Sequence, residues 1–397
     1  MKYIVTLGLI CLCLSGIGDA SSGNAWGFYG HRLINRMAVF TLPSSMIGLY
    51  KFNIDFLSDH AVDPDKRRYA SRHEAVRHYI DMDHWGTPPF EKVPRRWVDM
   101  LAAYVTLSCV HESGDTTVLH TPFINNRMVE IPDTMKAFVA LHLLPLYYED
   151  TWTFDPDTVQ KYFPAYDCSP CRQILGDEVF TQHGILPYHL YFMQQRLADA
   201  FARKDLPTVL QLSADFGHYL ADAHVPLHTT KNYNGQLTGQ EGIHAFWESR
   251  IPELFAEKDW DFLVGQAIYI DDPRAYYWDI VLRSHRLVDE VLHIEKDLSK
   301  TYPDDEQYCF EERLNVMVRT QCADYAAAYQ QKMKGMVESR MQDAIQAVGS
   351  AWFTAWVDGG QPQFQDFLLE MSNADREAFE ALERDFVKGR AFGREHE

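Results

Sequence analysis

The sequence predicts an all-α protein. Apolar residues recur at three- and four-residue spacing across windows 134–148, 182–203, 206–225 and 275–299, each too long for a typical strand. The stretch 322–357, with Ala326-Ala327-Ala328, runs with few helix breakers up to Gly359-Gly360, and clear strand alternation is scarce. With 397 residues, 46% hydrophobic and 23% charged, the chain can bury a sizeable core and lacks the bias of disordered, collagen-like or disulfide-dense sequences. Length alone would allow two or three domains. No low-complexity linker or internal repeat divides the chain, so one helical domain with a helical C-terminal extension is expected.

Taken in order, Met1-Lys2-Tyr3 precedes an apolar run from Ile4 to Leu14 and small residues from Ser15 to Ala25, the pattern of a secretory signal peptide over residues 1–25. The apolar run is too short to span a bilayer, and no later stretch reaches the roughly 20 apolar residues that spanning needs. Gly23-Asn24-Ala25 puts small side chains at the third and first positions before Trp26, so cleavage is expected there; a cut after Ala20 fits the small-residue rule less well. The mature protein, residues 26–397, is expected to be exported, periplasmic or secreted. Residues 32–58 predict two short helices broken at Leu42-Pro43-Ser44, because Pro43 has no backbone N–H to donate. Residues 109–132, with Gly114, Pro122 and Asn125-Asn126, predict a loop insertion, and 322–357 predicts one long helix.

Five cysteines remain beyond residue 25. Cys168-Ser169-Pro170-Cys171 predicts a short disulfide or a redox pair, Cys309 with Cys322 a second bridge, and Cys109 is the odd thiol. The formal net charge of −19 argues against attraction of nucleic acid or anionic lipid over the whole surface, because both would be repelled by most of it. A local cationic site remains compatible with that balance.

The chemistry lies in the histidines and carboxylates. In the run Asp215 to His228, His218 and Asp222 stand four apart, on one face of a helix, where both can grip one metal ion. Pro226 then interrupts the helix and lets His228 turn back toward the same cavity. Sixteen residues later, His244 and Glu248 form a second pair at the same spacing. Upstream lie Asp63 in Asp63-Pro64-Asp65, and His78; His31 follows Trp26 by five residues. Imidazole and carboxylate without thiolate suits zinc at positions that keep open sites for water and substrate.

The set Trp26, His31, Asp63, His78, His218, Asp222, His228, His244 and Glu248 resembles, in order and in residue type, the trinuclear zinc superfamily of bacterial zinc-dependent phospholipase C and the fungal single-strand-specific nucleases. The resemblance covers residues 26–248; residues 249–397 carry no matching motif. It implies an all-α fold and three zinc ions. Asp63, His78, His218 and Asp222 would hold the first; His228, His244 and Glu248 the second; the free amine and carbonyl of Trp26, with His31 and Asp222, the third. Asp63 is favoured over Asp65, although the spacing admits either, and it is also the residue placed in the reaction.

Three zinc ions against Asp63, Asp222 and Glu248 leave a local charge of about +3 in an acidic protein, which attracts a phosphate ester. A zinc-bound water, with its pKa lowered from ~15.7 to about 7, is the expected nucleophile. Glu248 as last ligand and the short gap from His228 to His244 resemble the phospholipase branch. The expected activity is therefore phospholipase C-like hydrolysis of a phosphodiester. A single-strand nuclease or 3′-nucleotidase of the same superfamily is the alternative, and a non-catalytic zinc-binding protein a second. Substrate is then phospholipid or single-stranded nucleic acid, without a stable nucleic-acid complex. Tyr79, Trp85, Tyr233 and Phe246 are candidates to line either cleft.

Overall fold

The computed structural model describes residues 27–68, 72–124, 127–128, 131–149, 151–313, 316–363 and 367. The expected signal peptide and Trp26 lie outside them. The chain is mostly helical, as its periodicity predicts, with a smaller share of strand.

At the centre is the helix Leu206–His224, in which every residue from Leu212 to His224 is buried. Its start is set by Asp205, whose carboxylate accepts the Thr208 backbone N–H at 3.2 Å, with Pro207 in the first turn where no donor is needed. Its end is set by Val225, extended at φ −84° and ψ 119°, immediately before Pro226. Around it pack the helices Gly27–Ala38, Leu186–Arg203, Pro273–His285 and Met336–Asp358. The expected break at Pro43 separates Gly27–Ala38 from Ser44–Phe52, and a further break at Asn53 opens Ile54–Asp59.

Two expectations about helices need correction. The stretch 322–357 is two helices, Ala323–Lys332 and Met336–Asp358, because Lys334 at φ 53° and Gly335 at φ 81° take left-handed conformations between them. The second is no appended extension. Ala344, Ala347, Val348, Ala351 and Ala355 are buried in the same core as the N-terminal helix, and the Trp352 indole N–H donates to the Ser213 carbonyl of the central helix at 3.0 Å.

The region expected to be a loop insertion holds strands. β1 (Val105–His111) pairs antiparallel with β2 (Thr116–His120) across a turn at Gly114. A two-residue ladder follows, β3 (Phe123–Ile124) with β4 (Arg127–Met128), and β5 (Trp152–Phe154) and β6 (Cys171–Glu178) complete a sheet of order β2-β1-β6-β5. β2 is a polar edge strand exposed at its first three positions, so one of its faces carries no apolar alternation to detect. A separate hairpin joins β7 (Tyr308–Arg313) to β8 (Val316–Gln321).

The pairing of β1 with β6 also overturns one disulfide expectation. Cys171 is bonded to Cys109, with Cα atoms 5.2 Å apart, and Cys168 is the buried free thiol. Adjacent strands bring Cys109 to Cys171, and no spacing of residues could show that. Cys309 and Cys322 are bridged, as expected, at the base of the β7–β8 hairpin. Among the described residues no helix is long and apolar enough to cross a membrane.

Candidate metal centre

His218 and Asp222 project together from the last two turns of the central helix, both fully buried. His218 Nδ1 donates to the Ala61 carbonyl at 2.8 Å, which turns its Nε2 toward the Asp222 carboxylate at 3.3 Å. His78 enters from a neighbouring segment, its Nδ1 2.9 Å from Asp222 Oδ2 and 3.1 Å from His218 Nε2.

Asp65, not Asp63, faces this group. Its Oδ1 lies 3.8 Å from His218 Nε2 and 3.9 Å from His78 Nδ1, and neither carboxylate oxygen has a hydrogen-bond partner. Two residues on a helix are about 200° apart, so within Asp63–Arg67 only one of the two aspartates can face inward. Asp63 faces the other way, bonded to His60 Nδ1 at 2.5 Å and to Lys66 Nζ at 2.8 Å. The signal that could have chosen between them is the buried pair Ala61 and Val62: Asp65 follows at the four- and three-residue spacings that share their face.

His31 comes from the N-terminal helix, its ring stacked on that of His218 at 3.8 Å and its Nε2 3.5 Å from Asp222 Oδ1. That approach depends on Gly217. A Cβ at this position would stand 1.9 Å from Asn35 Oδ1, and Asn35 ties the two helices by donating to the carbonyls of Leu57 and Ala214, each at 3.1 Å. Neither ring nitrogen of His31 has a hydrogen-bond partner among the described residues.

A second group lies beside the first. His228 turns back after Pro226, as its position predicts, and its Nδ1 donates to the His78 carbonyl at 2.6 Å. His244 Nδ1 donates to the Tyr233 carbonyl at 3.0 Å, so the two Nε2 atoms face each other at 3.2 Å. Glu248 closes the group, its oxygens 3.4 Å from His228 Nε2 and 3.1 Å from His244 Nε2. Gly242, left-handed at φ 95°, starts the short helix that carries His244, and a π-helical turn over Phe246–Arg250 carries Glu248. Arg250 anchors that turn: its Nε donates to the Gln321 carbonyl at 3.0 Å, and its guanidinium pairs with Glu311. Sequence reasoning missed Asn35, Gly217 and Arg250, because each acts through a contact distant in sequence.

The groups shift one another's acidity strongly. Burial opposes protonation of His218, but the carboxylates of Asp222 and Asp65 outweigh it and raise its pKa to about 9. His228 is raised as well, with Asp222 and Glu248 prevailing over burial. Burial with neighbouring imidazoles holds His31 well below the usual imidazole range. Against burial, His218 and His228 hold the Asp222 carboxyl well below the usual range, while burial raises that of Asp65.

His228 and His244, each with Nδ1–H on a carbonyl, meet Nε2 to Nε2, and His218 Nε2 meets His78 Nδ1. Facing nitrogens of this kind attract only through a shared cation, a proton or a metal ion. The triads His78, His218, Asp222; His31, Asp65, His218; and His228, His244, Glu248 each bring ligand atoms within 4.8 Å of one another. These residues fit a metal ion: nitrogen and carboxylate oxygen donors, rings oriented by backbone carbonyls, and buried oxygens on Asp65, Asp222 and Glu248 without hydrogen-bond partners. Eight of the nine expected ligand positions are described; seven of them lie in these groups with Asp65, Asp63 does not, and His31 is grouped with Asp65 and His218 rather than with Asp222 alone. Of the aromatic residues considered for a cleft, Tyr233 is exposed, with its ring 6.1 Å from that of His244, whereas Phe246 is buried against Tyr325 and Tyr329. No protein-family model matches the chain, and no curated protein matches it.

Proposed function

We propose that this chain is an exported zinc-dependent phosphodiester hydrolase of the phospholipase C type. The observation that supports the reading most is the convergence of the ring nitrogens and carboxylate oxygens of His31, Asp65, His78, His218, Asp222, His228, His244 and Glu248. Asp65, His78, His218 and Asp222 would hold one zinc ion; His228, His244 and Glu248 a second; His31 and Asp222, with the amine and carbonyl of Trp26 after cleavage, a third. When bound, zinc supplies Lewis acidity, positive charge for the phosphoryl oxygens and a water acidic enough to attack near neutral pH.

The remaining work falls to the chain. Asp222 presents Oδ2 toward His78 and His218, and Oδ1 toward His31 and His228, so one carboxylate serves two sides. The carbonyls of Ala61, His78 and Tyr233 hold three rings in the orientation that leaves Nε2 free. His244 is the most exposed of the eight, its side chain 17% accessible, so substrate approaches from the side of His244 and Tyr233. The decisive test is hydrolysis of phosphatidylcholine by protein reconstituted with zinc, abolished by chelator and restored by zinc. Single-stranded DNA and RNA assayed in parallel separate the phospholipase from the nuclease. Zinc binding without hydrolysis of any of the three would overturn the enzymatic reading.

A further inference from the structure

A cavity of about 650 Å³ opens beside the inner ligands, and none of the eight candidate ligands lines it. Tyr219 is the shared wall: its ring lies 5.2 Å from that of His78 and 4.5 Å from that of His189. The cavity collects three arginines, Arg67, Arg77 and Arg196, in a chain of net charge −19. Two are engaged, Arg67 with Asp215 at 2.9 Å and Arg77 with Glu74 at 2.6 Å. Arg196 stands exposed on its helix. Two nitrogens are buried without a hydrogen-bond partner: Arg77 Nε, a donor, and Nε2 of His189, a residue only 4% exposed. Phe56, Met193 and Leu210 supply apolar wall.

We propose that this cavity is an oxyanion site that takes a phosphate or phosphonate group bearing an apolar substituent. Guanidinium groups present planar N–H donors that match the oxygens of such a group, and charge-assisted bonds of this kind are the strong ones. His189 adds a neutral N–H: burial, with the arginines beside it, holds it well below the usual imidazole range. Asp215 and Glu74 offset two of the arginines, which leaves the Arg196 charge in excess, so the balance at the cavity favours an anion over a cation. The apolar wall selects a substituted anion over inorganic phosphate. This site stands apart from the metal centre, since it uses none of the metal-facing groups.

The test is calorimetric titration with phenylphosphonate, which cannot be hydrolysed, and with inorganic phosphate, on chelator-stripped protein whose helical circular dichroism is retained. One saturable site is expected, tighter for phenylphosphonate, and weakened about tenfold by Arg196→Gln, an exposed position where substitution spares the fold. His189→Gln should weaken it as well. If stripping unfolds the chain, the titration is made on protein as purified, where Arg196→Gln should remove one binding event and leave any event at the metal centre. Absence of saturable binding, or binding that Arg196→Gln and His189→Gln both leave unchanged, would overturn the proposal. Phenylphosphonate binding by a protein that takes up no zinc when zinc is added back would sink the metal reading and leave this one standing.

Discussion

The inner and outer ligand groups are assembled in different ways. His31, Asp65, His78, His218 and Asp222 come from four separate stretches of chain, and each is less than 5% exposed. His228, His244 and Glu248 lie within one short segment, and His244 reaches partly into solvent. The outer group is a local arrangement that a turn and one π-helical segment can build. The inner group exists only once distant helices have packed, so a metal ion bound there would add to folding stability.

Asp222→Asn should produce the largest effect. It leaves buried imidazoles without their shared carboxylate, at a cost of about 3–5 kcal/mol in stability. Zinc content should fall by more than one ion, whereas Glu248→Gln should lose only the outer one. Elemental analysis of the two variants decides it, and equal losses would break the distinction between a bridging and a single-site ligand. The next effect is a pair of substitutions: Asp65→Asn should reduce zinc content and hydrolysis, the latter by ~100-fold, while Asp63→Asn, an outward ion pair, should change stability by under ~1 kcal/mol and leave zinc in place. Protein that retains residues before Trp26 should lose one zinc ion and hydrolysis with the other ions kept, because an amine within a peptide bond cannot ligate; mass spectrometry of the exported protein should show a start at Trp26. His244→Ala should abolish hydrolysis but shift thermal stability little, under ~1 kcal/mol, since its ring is the most exposed of the set.

pH sharpens the contrast further. In metal-free protein the pKa of His218 is raised to about 9, above the ~6.5 of an unfolded imidazole. Its contribution to stability is therefore fully present below about pH 6.5 and is lost as pH rises through about 9. In zinc-loaded protein the sign reverses, because protons compete with metal for the imidazoles and affinity falls in acid. Thermal melts between about pH 6 and pH 9 should thus show stripped protein losing stability from His218 while loaded protein gains it. Parallel slopes would refute metal ligation by this histidine.

The His244 and Glu248 pair of the outer group was legible because its spacing is itself its geometry: residues four apart in a helix share a face wherever the helix goes. The same holds for His218 with Asp222, and for the turn at Pro226. The choice of Asp65 over Asp63 was not legible from the ligand pattern, since Asp63-Pro64-Asp65 offers a carboxylate on either face and only packing against Ala61 and Val62 selects one. The strands escaped for a similar reason. β2 is polar and edge-placed, and what holds it is the ladder to β1, a contact rather than a pattern.

Sequence by itself therefore determined what short-range stereochemistry governs: the helical windows, the stops at Pro43 and Pro226, the pairing of His218 with Asp222 and of His244 with Glu248, and the Cys309–Cys322 bridge across a 13-residue separation. Tertiary structure decided what depends on distant surfaces meeting. It placed Cys171 against Cys109 rather than Cys168, and it pressed the N-terminal helix onto Gly217 so that His31 stacks on His218. It also drew Met336–Asp358 into the core rather than leaving it as an appendage. The physical reason is common to these cases. Local periodicity says which face of an element is apolar, but the partner of that face is chosen by close packing of the whole chain, where a single missing Cβ or one inward carboxylate decides the fit.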